Sequence, residues 1–206
     1  MIYMRPEEIE GKSMRIIENE LGDFLSERKE REIIKRVAHA TADTEFAKSI
    51  IFHPDAVDMG LRAIISGCNI IADVEMVRVG IRKKEIEEFG NELLCFINND
   101  KAVQMAEIDK IPKAVSAMRM AKSYINGSIV VIGNAPTALF ELINIIERYM
   151  TLPALVIGVP IGFVGAAESK EALQSLSVPY ITNEGRRGGS AVAVSIINAL
   201  IKLTAD

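Results

Sequence analysis

Ser128-Ile-Val-Val-Ile-Gly-Asn-Ala-Pro-Thr137 is the stretch from which the fold follows. Ile129 to Ile132 are four consecutive β-branched residues with no polar alternation. That is too short for a helix and marks a strand buried on both faces. Gly133 closes the run. Pro136 then presets a helix start, where its missing N–H leaves no helical bond unmade. A helical pattern runs on from Pro136 to Tyr149, so the segment reads as strand, tight turn, helix.

The same unit recurs on both sides. Asn69 to Val74, Leu93 to Ile97, Ala154 to Val159 and Pro179 to Thr182 are further short apolar runs. Helical patterns at Ile111 to Ile125, Glu168 to Leu176 and Ser190 to Leu203 alternate with them. The expected class is therefore α/β, a three-layer α/β/α sandwich on a five-stranded, mostly parallel sheet. The first third reads as helices over Pro6 to Leu21, Lys29 to Asp43 and Pro54 to Gly67. No linker, repeat or low-complexity tract divides the chain, so residues 1–206 are expected to form one domain.

Composition narrows the function. With 24 Lys and Arg against 28 Asp and Glu, the net charge of −4 argues against nucleic acid as a partner. Tyr149 to Ala167 carries no charge, but Pro153, Gly158, Pro160, Gly162 and Gly165 interrupt it. A buried strand and loop fit it better than a membrane span, and no membrane is expected. Met1 to Arg5 leads into acidic residues, not an apolar signal core, so the expectation is a cytoplasmic protein. Cys68 and Cys95 read as buried thiols in a reducing compartment. With only two histidines and no CxxC, neither a zinc site nor any other cofactor is expected.

Ligands of an open parallel sheet bind beyond the carboxyl ends of its strands. Three such ends carry unusual loops: Gly133 to Thr137, Gly158 to Glu168, and Asn183 to Ser190. The first is expected to face unpaired N–H groups outward from a helix start. The second is small and apolar, a wall for a flat ligand. The third sets Arg186 and Arg187 between glycines before a helix, which suits a carboxylate or phosphate. Each loop also has a plainer reading as a tight βα turn. No Walker lysine and no GxGxxG is present, which leaves a nucleotide-binding flavodoxin-like protein as a distant reading.

The two histidines differ. His53 precedes Pro54, so its backbone is held extended, and a surface or capping role is expected. His39 shares a helical face with Lys35, Arg36 and Asp43, beside a stripe of Ile33, Ile34, Val37 and Thr41. Spacing alone makes it an exposed histidine paired with Asp43. Ala38, Ala40 and Ala42, however, leave room for a large rigid ligand, and histidine is the side chain suited to giving up a proton near neutral pH.

Several motifs resemble the precorrin-8X methylmutase family. These are Arg36-Val-Ala-His39-Ala, Phe52-His-Pro54-Asp55 and Ala72-Asp73-Val-Glu75-Met76-Val77, with Ile132-Gly-Asn-Ala-Pro-Thr-Ala-Leu-Phe140 following. Gly158-Val-Pro-Ile-Gly-Phe-Val-Gly-Ala-Ala-Glu-Ser-Lys170 and Gly185-Arg186-Arg187-Gly-Gly-Ser190 complete the set. The resemblance spans nearly the whole chain. It implies a flavodoxin-like homodimer and an isomerase of corrin-ring synthesis, moving a methyl group from C11 to C12 of precorrin-8X or cobalt-precorrin-8 without an external donor. It places the catalytic histidine at His39. Candidate substrate-binding residues are Ser13, Arg15, Arg36, Arg82, Lys113, Asn134, Pro136, Gly162 and Arg186. Lys113 and Arg82 depart from the family's usual residues, and Arg187 stands where an aliphatic residue is common, which favours Arg186 for binding. A corrinoid-binding protein without catalysis is the alternative. The apolar girth of Ser190 to Leu203 fits either a fully buried helix or one covered by a second subunit.

Overall fold

The computed structural model describes residues 5–24 and 26–205. The chain opens with α1 (Pro6–Leu21), α2 (Arg28–Thr41), α3 (Thr44–Ala47), β1 (Ile50–Phe52) and α4 (Ala56–Ile65). It continues through β2 (Ile70–Ala72), α5 (Glu75–Gly80), α6 (Lys83–Glu87), β3 (Leu93–Cys95), α7 (Asp100–Asp109) and α8 (Lys113–Ala121). It ends with β4 (Ile129–Ile132), α9 (Pro136–Tyr149), β5 (Leu155–Gly158), α10 (Ala166–Gln174), β6 (Tyr180–Asn183) and α11 (Ser190–Leu203).

The strands form one sheet in the order β1-β6-β5-β4-β2-β3. From β2 to β6 all pairings are parallel. These five strands have the flavodoxin-like arrangement, in which the order reverses between the first and third of them, β2 and β4. The expected five strands become six because Ile50–Phe52 adds an antiparallel edge, with Ile50 opposite Asn183. Three residues between two helices carry no legible period. What recruits them is the open edge of β6, and His53 extends the pairing by donating its N–H to the Tyr180 carbonyl at 2.9 Å.

Alternation along each strand divides the core in two. Ile129 and Val131 pack with Ile33, Ile34 and Val37 of α2, Ile64 of α4 and Ile196 and Leu200 of α11. Val130 and Ile132 face the opposite layer, meeting Met118 of α8, Leu139 and Leu142 of α9 and Leu173 of α10. The apolar girth of α11 is satisfied within the chain, since Val192, Ala193, Ile196, Ile197, Ala199, Leu200 and Ile201 are all buried there. It therefore gives no support to a dimer. No helix among the described residues is long and apolar enough to cross a membrane.

The end of α2 decides where His39 comes to lie. Ala42 turns left-handed (φ 52°) and stops the helix, and the Asp43 carboxylate then accepts the Phe46 N–H at 2.7 Å to start α3. Because β1 begins opposite Asn183, the carboxyl end of β6, this corner lies on the sheet's carboxyl rim.

Candidate active site

The three loops singled out in the sequence converge on that rim. Gly189 N–H donates to the Val159 carbonyl at 2.9 Å, and Gly162 N–H to the Arg186 carbonyl at 3.2 Å. Gly188 (φ 152°) lies so close that a Cβ there would stand 2.3 Å from the Val159 oxygen. Gly133 likewise meets the start of α11, where an added Cβ would fall 2.8 Å from the Ser190 Cα. Pro136 lines up against Gly162 and Gly165. The middle loop presents Ile161 (51% exposed), Phe163 (86%) and Val164 (89%) to solvent. That is an apolar ledge that none of the described residues covers.

At the reversal between β2 and β4 the structure departs from expectation. The backbone donors of the Gly133 loop do not face outward. The buried Asp73 carboxylate, just past β2, accepts the N–H of Gly133 (3.2 Å), Asn134 (2.8 Å) and Ala135 (3.1 Å). Burial pushes the Asp73 pKa up, against the pull of those donors. The protein's own anion thus fills the cradle a phosphate would need. This counts against nucleotide at this loop, and it fixes Asn134 and Pro136 at the lip.

His39 lies in the last turn of α2, before the corner that the Asp43–Arg187 ion pair ties to the β6 loop. It is exposed near the end of α2, while its neighbours Val37 and Ala38 are buried. Between α1 and the α2–α3 corner runs a cleft of about 330 Å³, lined by Ser13, Ile16, Ile17, Glu20, Ala38, His39, Ala42 and Thr44. Its floor is apolar and small, as the alanine spacing suggested. Among the described residues the His39 ring has no hydrogen-bond or ion-pair partner. Asp43, its expected partner, is engaged by the Phe46 N–H and the Arg187 guanidinium, which hold the carboxyl below its usual range. Arg187 also stacks on the Phe46 ring, 4.5 Å from its centroid. Arg186 is exposed and, among the described residues, has no side-chain partner.

The remaining candidates divide by place. Ser13 lines the His39 cleft, its hydroxyl donating to the Ile9 carbonyl at 2.9 Å. Lys113 opens α8, exposed on the rim beside Ala114, which shares a narrow crevice with Asp73 and Phe96. Three cations lie elsewhere in one chain. Arg15 is exposed on α1 and does not line the cleft. Arg36 pairs with Glu10 at 2.7 Å beside Lys202. Arg82 sits beside Asn198 of α11, which accepts its backbone N–H at 3.0 Å, eight residues and about 12 Å below the rim. His53 caps its own turn, its Nδ1 accepting the Asp55 N–H at 3.2 Å.

From the β6 loop to the end of β2 is three strand spacings, about 15 Å. Arg186, the apolar ledge, Asn134, Asp73 and Lys113 belong to loops and helix starts of that rim, and His39 lies in the α1–α2 cleft near the corner that Asp43 ties to Arg187. A Precorrin-8X methylmutase family model matches residues 8–203. The chain belongs to the precorrin-8X methylmutase family. It is accordingly a methylmutase, an isomerase of vitamin B12 biosynthesis. It is 46% identical to the cobalt-precorrin-8 methylmutase of Priestia megaterium, covering 100% of this chain and 91% of that one. To the precorrin-8X methylmutase of Sinorhizobium sp it is 35% identical, over 90% of this chain and 88% of that one. The solved structure of the precorrin-8X methyl mutase from Thermus thermophilus superposes with a TM-score of 0.88 at 38% identity. That match covers 96% of this chain and 98% of the other.

Two features of the enzyme's rim escaped sequence reading. One is the Asp73 clamp. The other is Lys170 of α10, buried and bonded to the Arg186–Arg187 loop. A signal for the second existed: Ala166, Ser169, Lys170 and Leu173 follow the spacing of one helical face, and all four are buried.

Proposed function

We propose that this enzyme moves the methyl group on C11 of precorrin-8X, or of cobalt-precorrin-8, to C12 of the same macrocycle. The methyl leaves one ring carbon and bonds the next within one molecule. Substrate and product therefore have the same composition, and no donor is consumed. Such a shift asks a protein for positioning, charge placement and one proton.

His39 supplies that proton, or a hydrogen bond, to the ring. The observation that carries this reading is an imidazole without an intramolecular partner among the described residues, at the mouth of a cleft floored by Ala38, Ala42, Ile16 and Ile17. The macrocycle is flat, apolar in its ring and fringed with carboxylates. Its face rests on small and apolar side chains, including the Ile161–Val164 ledge. Its carboxylates meet Arg186, Lys113 and the exposed Asn134 side chain beside Pro136.

A macrocycle of four pyrrole-derived rings exceeds a cleft of about 330 Å³. We infer a homodimer in which the second protomer closes the site over the exposed ledge. Arg15, Arg36 and Arg82, which do not line this chain's cleft, are assigned to the partner's side of that site. The chain acts as one domain over its whole length. Substrate carrying ¹³C in the C11 methyl tests the reaction directly. Label recovered on C12 of the product supports the assignment; label retained at C11, or found at another carbon, refutes it.

A further inference from the structure

Lys170 lies on the inner face of α10, 1% exposed. Its Nζ donates to the Arg187 carbonyl at 2.7 Å and to Asn183 Oδ1 at 3.2 Å. Asn183 in turn donates its Nδ2 to the carbonyls of Glu184 and Arg187, both at 2.8 Å. All four bonds end at or just past the end of β6, in the segment that carries Arg186. Two backbone bonds hold the flanks of that loop to the neighbouring one, through the Arg186 carbonyl and the Gly189 N–H. Lys170 grips Arg187, which lies between them, from inside the protein.

Among the described residues, no carboxylate pairs with the ammonium. Glu168 and Glu171 on its own helix are exposed, as are Glu184, Arg186 and Arg187 on the loop. Where α9 approaches α10 it brings Leu139 and Phe140, through their contacts at Gly158 and Gly165. A buried cation without a counter-ion is unfavourable, and burial pulls the Lys170 pKa down to about 8. An aliphatic side chain would fill the same space without that penalty. What it would not supply is a charge-assisted hold on the Arg187 carbonyl.

We propose that Lys170 is a positioning residue that holds the Glu184–Gly189 loop, through Asn183 and the Arg187 carbonyl, in the shape that presents Arg186 to a substrate carboxylate. This rests on the reading of that loop as a substrate contact, and the two can fail separately.

The test compares the full-length enzyme with Lys170→Met, Lys170→Arg and Arg186→Gln, in steady-state turnover of the macrocycle. Lys170→Met, which removes both Nζ hydrogen bonds, raises KM about tenfold and leaves kcat within about twofold. Lys170→Arg, which keeps a charged donor, recovers part of the loss. The KM of the wild type climbs above about pH 8, and that of Lys170→Met does not. An unchanged KM in Lys170→Met, with Arg186→Gln weakened, overturns the positioning role. An unchanged KM in Arg186→Gln overturns the carboxylate-binding reading beneath it. Should Lys170→Met fail to fold, amide hydrogen exchange of the wild type decides. Between about pH 7 and about pH 9.5, protection of residues 184–189 falls about tenfold after correction for intrinsic rates, while α10 holds. Equal loss in α10, or no loss in the loop, refutes the proposal.

Discussion

Replacing Asp73 with alanine removes one carboxylate and with it the acceptor for three backbone donors. The Gly133 N–H is buried, so leaving it without an acceptor costs about 1–3 kcal/mol. Asn134 is exposed and Ala135 half-buried, and water replaces most of their loss, at about 0.5 kcal/mol each. Removing a buried charge gives back part of this as desolvation, in keeping with the upward direction of the Asp73 pKa. The net destabilisation is about 1–3 kcal/mol, and Tm falls by about 3–10 °C for a domain of this size. Calorimetry or circular dichroism melts measure it. The pH dependence adds a second signature. A carboxyl whose folded pKa lies above its unfolded value binds its proton first in the folded state. Wild-type stability from this group therefore rises as pH falls through that window, and the gap to Asp73→Ala widens on acidification. A Tm within about 1 °C of wild type, with a gap that does not change with pH, would refute the clamp.

Other outcomes rest on the neighbouring contacts. Arg187→Leu releases Asp43 from an ion pair whose guanidinium is 60% exposed, while the Phe46 N–H cap remains. Stability drops by less than about 1 kcal/mol, and a larger fall in a melting curve would contradict the surface assignment. Lys170 has a folded pKa of about 8, below its unfolded value, so the unfolded state holds more protons between that value and about 10.5. Relative to Lys170→Met, wild-type stability should climb across that interval in denaturant titrations; a flat difference would remove the case for a buried cation. Sedimentation at working concentration should give the mass of two protomers, and a monomer throughout would contradict the closed site.

The sheet was legible where burial left a mark in composition. Ile129–Ile132 and Leu155–Gly158 are buried throughout and apolar throughout, and Pro136 fixed the start of α9 to the residue. β1 was not legible, because three residues show no period and only the edge of β6 makes them a strand. α5, α6 and α7 went unread for a related reason: the first two are five or six residues long, and α7 buries only Ala102 and Ala106. The Asn99 side chain, accepting the Lys101 and Ala102 N–H groups, is the cap that marked α7.

At the site, local spacing set His39 apart from the buried stripe of α2 but misjudged partners. Arg36 finds Glu10, Asp43 finds Arg187 and Arg82 finds Asn198, contacts made by residues far apart in sequence. Spacing along a helical face reaches only three or four residues either way. Lys170 was hidden by its chemistry, since a lysine in a run of Glu, Ser and Ala reads as solvated. The Gly133 loop misled because its donors are satisfied by Asp73, 60 residues earlier.

In the proposed reaction His39 gives the macrocycle its proton. The most direct measurement is turnover by His39→Ala alongside its affinity for the macrocycle, read from the shift in the visible spectrum. The expected result is a fall in kcat of about 10²–10⁴-fold with Kd within about threefold of wild type. Full turnover by that variant would contradict it.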